Sequence, residues 1–151
     1  MTGRACGDHP AVDSTTLQAT VVACRTLIAE RFPDGSSRGA AAMLLDDGSV
    51  VTGTSPDTVN ASVEVCHEVE PYCAAFRLGR RIQASVCLHR LESGVHVVLS
   101  LCGVCRERLA SHGPDVLVGV PDGRTAVSWI PLREALPHYW MSVFPEDSPW
   151  R

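Results

Sequence analysis

Two short segments hold the side chains with the most chemical potential. Cys66-His67-Glu68 sets a carboxylate two residues after a thiol, and Cys102-Gly103-Val104-Cys105 supplies two more thiols at C-x-x-C spacing. Thiolates are ligands that zinc accepts readily, and three protein ligands leave the fourth position of a tetrahedral ion open to water. That is the arrangement of a catalytic rather than a structural zinc. Cys66, Cys102 and Cys105 are therefore the expected Zn²⁺ ligands, and Glu68, outside the ligand set, is the expected carrier of a proton from water to a leaving group.

Other readings of the same residues exist. A C-x-x-C pair by itself also suits a redox pair or half of a structural zinc site, and a free Cys also suits a core. The thiol and carboxylate beside the pair favour the catalytic zinc. His67 is read as lying outside the ligand set, because Cys66 already holds the place two residues before Glu68. Cys6, Cys24, Cys73 and Cys87 have no partner spacing and read as core filler or arm. Three thiolates around a divalent ion leave net negative charge, so helix N-termini and a nearby cation are expected to offset it. Arg106, directly after Cys105, is the candidate cation.

The elements that must position these side chains follow from periodicity. Leu17, Val21, Cys24, Leu27 and Ile28 recur at spacings of three and four after the caps Asp13 and Ser14, which predicts a first helix stopped by Phe32-Pro33-Asp34-Gly35. Gly39–Leu45 and Val50-Val51 around Asp46-Asp47-Gly48 predict a β-hairpin. Turn formers from Thr52 to Glu64 predict a surface crossing, and Cys66–Leu78, with Pro71 near its start, a second helix. Strands are expected over Ile82–Leu88, Val95–Leu99, Val116–Val120 and Thr125–Ile130, with helices over Cys105–Ser111 and Leu132–Leu136. The alternation predicts a layered α/β domain.

Composition bounds the rest. The 151 residues are 45% hydrophobic and 20% charged, enough for one domain over 13–151 with a flexible arm over 1–12. All 13 basic residues are Arg and the net charge is −4, so neither a polybasic nucleic-acid surface nor an anionic-membrane surface is present. No apolar run approaches the roughly 20 residues of a spanning helix, and a cytoplasmic protein is expected.

The chemical segments resemble the cytidine deaminase family, in particular its short-chain tetrameric branch and the related blasticidin S deaminases. Cys66-His67-Glu68 resembles the family's C-A-E segment, Ser100–Arg106 its S-P-C-G-x-C-R, Leu44–Gly53 its early hairpin, and Glu134–Trp140 its terminal E-L-L-P-x-x-F. The resemblance runs from Thr20 to about Trp140. It implies an α/β/α fold with a five-stranded mixed sheet, a bound zinc, and a homotetramer in which the C-terminal aromatic, here Trp140, closes a neighbour's pocket; a dimer is the alternative. It also locates the substrate contacts, and there this chain departs. The Phe that packs on the pyrimidine is Ser37, and the N-x-E pair that holds the ribose hydroxyls is Ser55 and Asp57. An Arg that neutralises the thiolates in many members is Val69, and the Pro before the first Cys of the pair is Leu101.

The expected activity is hydrolytic deamination of cytidine or deoxycytidine with release of ammonia, serving pyrimidine salvage. The altered sugar-binding positions favour, modestly, a second reading: a deaminase of another amino-substituted heterocycle, such as a blasticidin-like compound or a modified nucleoside. A third is a non-catalytic zinc module whose fourth position is closed by a side chain such as His67, against which the presence of Glu68 argues. A polynucleotide substrate is not expected, because the acidic chain has no basic groove with interleaved aromatics.

Overall fold

The computed structural model describes residues 12–144, 146, 149 and 150. Nearly all of the expected N-terminal arm, with Cys6, lies outside the described residues.

Helix α1 spans Ser14–Arg31, and the Asp13 side chain caps it by accepting from the Thr16 N–H at 2.9 Å. The chain turns at Phe32 and Gly35 into strand β1, Arg38–Leu45, which pairs antiparallel with β2, Val50–Gly53. The surface crossing predicted after β2 holds one short 3-10 turn, Ala61–Val63, capped by Asn60. Helix α2 then covers Val69–Arg77, three residues later than its sequence limit at Cys66, so Cys66 and His67 belong to the turn that leads into the helix. Strands β3, Ile82–Arg90, and β4, His96–Leu99, lead to α3, Gly103–Ala110. Next come β5, Leu117–Asp122, β6, Ala126–Pro131, the short α4, Leu132–Ala135, and a 3-10 turn, Trp140–Val143.

One mixed sheet carries all six strands, in the order β2-β1-β3-β5-β6 with β4 also on β3. Six strands occupy five lanes, because β4 pairs with the C-terminal half of β3 at Cys87–Arg90 while β5 runs parallel to its N-terminal half at Ala84 and Ser85. The parallel β3–β5 pair requires a crossover, and β4 and α3 supply it. The α/β/α layering follows from strand alternation. Ala40, Ala42, Val86 and Leu88 pack with Val21, Cys24 and Ile28 of α1, whereas Met43 and Leu45 face Ala75 of α2, Cys105 and Leu109 of α3 and Leu132 of α4. The second face positions the site, since α2 and α3 both start over it.

His112, just after α3, ties that face together. Its Nδ1 accepts from the Ile82 N–H at 3.0 Å, and its ring packs edge-on against Tyr72. Burial, aided by the Arg81 guanidinium, holds its pKa below the ordinary 6.5, so the folded protein favours the neutral ring. The stability this provides is complete above the unfolded value of 6.5 and is lost as the pH falls from there through the depressed folded value. The melting temperature of His112→Gln is expected to fall less than that of the parent between about pH 7.5 and about pH 5.5. Equal falls would contradict the role given to this ring.

Candidate metal centre and catalytic carboxylate

The turn before α2 and the first turn of α3 bring three thiols together. The sulfurs of Cys66, Cys102 and Cys105 all lie within 4.8 Å of one another, and Cys66 Sγ is 3.4 Å from Cys102 Sγ. Among the described residues no other His, Cys, Asp or Glu group has the geometry to hold a metal ion. Cys105 is buried, Cys66 half-buried and Cys102 exposed, so the group opens toward solvent on the Cys102 side.

Each thiol has a distinct environment. Cys102 is the N-cap of α3. Burial works against its thiolate, yet the backbone N–H groups of Cys105 and Val104 and the neighbouring thiols outweigh it, and its pKa lies below the ordinary thiol value. Burial raises Cys66, and the Cys102 thiolate beside it adds to the rise. Burial also raises Cys105, with the Glu68 carboxylate adding to it. Cys102 is therefore the first of the three to lose its proton, and a cation must offset the charge before the others follow. Such a donor set, soft and preassembled at a helix N-terminus, fits a zinc ion.

Glu68 caps α2 with its backbone, accepting from the Tyr72 N–H at 3.0 Å, and its side chain is buried, 6% exposed. Burial lifts its pKa above the usual carboxylate value, opposed by the Cys105 and Cys87 thiols and the Arg108 guanidinium. A carboxyl with a raised pKa can hold a proton and release it near neutral pH. Cys87 reaches it because alternation along β3 points that buried side chain to the α2 face.

The remaining expected site residues are distributed more widely. Arg106 points away from the thiols, donating from Nε to the Leu101 carbonyl and from Nη1 to that of Ala135, both at 2.9 Å. Arg108 approaches instead, with Nη1 3.8 Å from Cys105 Sγ. Its position, three residues after Cys105 and so on the same helix face, is the signal in the sequence that could have found it. His67 turns away from the sulfurs. Its Nδ1 accepts from the Ser55 N–H at 3.1 Å and lies 2.8 Å from Ser55 Oγ, which assigns the ring proton to Nε2. Burial lowers its pKa and keeps it neutral. A Cβ at Gly39 would lie 2.8 Å from His67 Cδ2 and closer still to Nε2, so Gly39 makes room for this imidazole.

Ser37 Oγ pairs with His89 Nε2 at 3.0 Å, and Asp57 forms a two-point pair with Arg38, at 2.5 and 2.7 Å. Ser55 and Asp57 line a cavity of about 420 Å³ together with Arg38, Phe32, Thr54 and Glu70, and Val65 and Val69, which flank the Cys66–Glu68 segment, complete its wall. Ser37 is not in that lining. Trp140, 60% exposed, lies against Glu107 of α3, its Nε1 3.4 Å from the carboxylate, and outside the lining of its own chain's cavity.

Fold and site define an α/β/α domain with a three-cysteine group able to hold a metal ion. No family model matches the sequence. The solved cytidine deaminase of Bacillus anthracis superposes with a TM-score of 0.80 at 33% identity, covering 86% of this chain and 93% of that one. That of Mycobacterium tuberculosis gives 0.59 at 30% identity, covering 84% and 96%. Among curated proteins, the Mycobacterium tuberculosis cytidine deaminase is 38% identical over 79 residues, 52% of this chain, and the match spans about half of that relative, 56%. The chain belongs to the cytidine deaminase family.

The two arginines should separate in experiment. In zinc-loaded protein, Arg108→Met is expected to weaken metal affinity about 10- to 100-fold in chelator competition, because it removes the cation nearest Cys105. Arg106→Met should leave affinity close to that of the parent and cost about 1–3 kcal/mol of stability through two abandoned carbonyls.

Proposed function

We propose that the chain is a hydrolytic deaminase of cytidine or deoxycytidine, adding water at the ring carbon that bears the exocyclic amine and releasing ammonia. One observation carries this reading: a buried carboxylate with a raised pKa, Glu68, stands beside three thiols that converge where a metal would sit. Cys66, Cys102 and Cys105 would hold a zinc ion, which supplies Lewis acidity and lowers the pKa of the attacking water.

The chain's own residues do the rest. Glu68 accepts a proton from the water, delivers it to the ring nitrogen, and carries the next to the departing amine, so one carboxylate serves as base and then acid. Burial suits it to both tasks, because a group that ionises too easily would not return the proton. Arg108 offsets charge on the Cys105 side, and the α3 N–H groups do so at Cys102. The cavity beside the segment, about 420 Å³, suits a nucleoside-sized ligand. The third reading, a structural zinc closed by His67, loses support because that imidazole is turned to Ser55 and Gly39.

A homotetramer, or a dimer, belongs to the same reading. Exposed Phe76, Val104, Trp140, Val143 and Phe144 give like chains apolar surface to cover. No helix among the described residues is long and apolar enough to cross a membrane. A cytoplasmic place in pyrimidine salvage is proposed with it, supported by the free thiols of all six described cysteines. The engaged state of Ser55 and Asp57 favours the second reading, another amino-substituted heterocycle, enough to include such a compound in the assay.

The test is ammonia release by zinc-loaded protein from cytidine, deoxycytidine, cytosine and blasticidin S. Release from cytidine or deoxycytidine is expected, and Glu68→Gln should lower it by about 10²- to 10⁴-fold while zinc content stays that of the parent. Release from blasticidin S alone would transfer the assignment to the second reading. No release from any of the four would overturn both.

A further inference from the structure

A single residue, His67, separates a thiol of the three-cysteine group from the reacting carboxylate. The backbone hydrogen bonds of this turn, from the Val69 N–H to the Cys66 carbonyl and from the Tyr72 N–H to the Glu68 carbonyl, both at 3.0 Å, lead into α2. Neither ties the turn to β1 or to the loop that crosses from β2. The His67 side chain supplies both ties. Its Nδ1 accepts from the Ser55 N–H at 3.1 Å and lies 2.8 Å from Ser55 Oγ, and the other edge of the ring fills the place over β1 that Gly39 leaves open.

A ring bonded at one nitrogen and wedged on its far edge has no freedom to swing. That fixation reaches Glu68 directly, because its Cα lies one planar trans peptide, about 3.8 Å, from that of His67. The Glu68 carboxylate is buried and meets its own backbone N–H and the thiols of Cys105 and Cys87. Thiols are weak donors, and its own N–H moves with the turn. The place of the carboxylate therefore follows the backbone that His67 anchors.

Resting on the deaminase reading above, we propose that His67 is a positioning residue: seated on Gly39 and bonded to Ser55, its imidazole holds the turn so that Glu68 meets the reacting atoms. It acts through Glu68 and not on the substrate. A misplacement of about 1 Å in a proton-carrying group costs on the order of 10²-fold in rate, so the tie bears on turnover more than on binding.

Steady-state ammonia release from cytidine and deoxycytidine by zinc-loaded protein tests this, with zinc content and thermal melting recorded for each variant. In His67→Ala, kcat is expected to fall about 10- to 100-fold, with KM within about threefold of the parent and zinc content unchanged. His67→Asn, whose Oδ1 stands in the place of Nδ1, should recover most of that loss. His67→Gln has no acceptor in that place and should match His67→Ala; it carries the test if the alanine variant does not fold. Gly39→Ala checks the seat. Its Cβ would lie 2.8 Å from His67 Cδ2 and 3.0 Å from the Leu88 carbonyl oxygen, and only the first contact depends on the ring. Its effect on kcat should therefore be at least about fivefold smaller in the His67→Ala background than in the parent. A kcat of His67→Ala within about threefold of the parent, a loss confined to KM, a loss matched by lost zinc, a loss shared in full by His67→Asn, or an equal effect of Gly39→Ala in both backgrounds overturns the proposal. Turnover by the parent separates the two levels: with turnover, such results overturn only the role of His67, whereas no turnover of cytidine or deoxycytidine overturns the cytidine deaminase reading as well.

Discussion

Three sulfurs held within 4.8 Å of one another are tolerable as thiols and repel strongly as thiolates. That repulsion is the constraint around which this fold is arranged. Cys102 sits where α3 begins, with backbone N–H groups directed at it, and Cys66 sits in the turn that starts α2. Both starts lie over the sheet face formed by Met43 and Leu45, and the β3–β4–α3–β5 crossover is what carries the second start to the first. Arg108 adds the one cation within reach of Cys105 Sγ that the described contacts include. Glu68 is buried in the same place, so its proton affinity is raised by the environment that the thiols already require.

The consequences extend outward through matched pairs. His67 occupies the space over Gly39, and by accepting from Ser55 it fixes that residue's orientation. Arg38, one residue after Ser37 at the start of β1, reaches across to Asp57. Each of these exchanges couples a residue on the β1 side to one on the crossing loop. The loop is thereby tied to the start of β1, and the shape of the cavity depends on those ties.

Local signals were legible in the sequence. The thiol and carboxylate spacing, the α1 cap at Asp13, the hairpin around Gly48 and all six strands are set by neighbours within a few residues, and periodicity reports such neighbours directly. The resemblance to a five-stranded family sheet undercounted, because β4 shares a lane with β5 on β3. The start of α2 at Val69 escaped because Cys66–Glu68 are residues that can continue a helix, and the turn is imposed by tertiary placement. Arg106 beside Cys105 was the nearest cation along the chain, whereas the helix places Arg108 nearest in space. The Arg38–Asp57 and Ser37–His89 pairs join residues 19 and 52 positions apart, which no local pattern encodes.

X-ray absorption at the zinc edge of the loaded protein distinguishes an open centre of three thiolates, served by Glu68, from a closed one. Three sulfur scatterers at about 2.3 Å are expected, with one light scatterer at about 2.0 Å that lacks the multiple-scattering signature of imidazole. Fewer than three sulfurs, or an imidazole ligand in the fourth position, would contradict it.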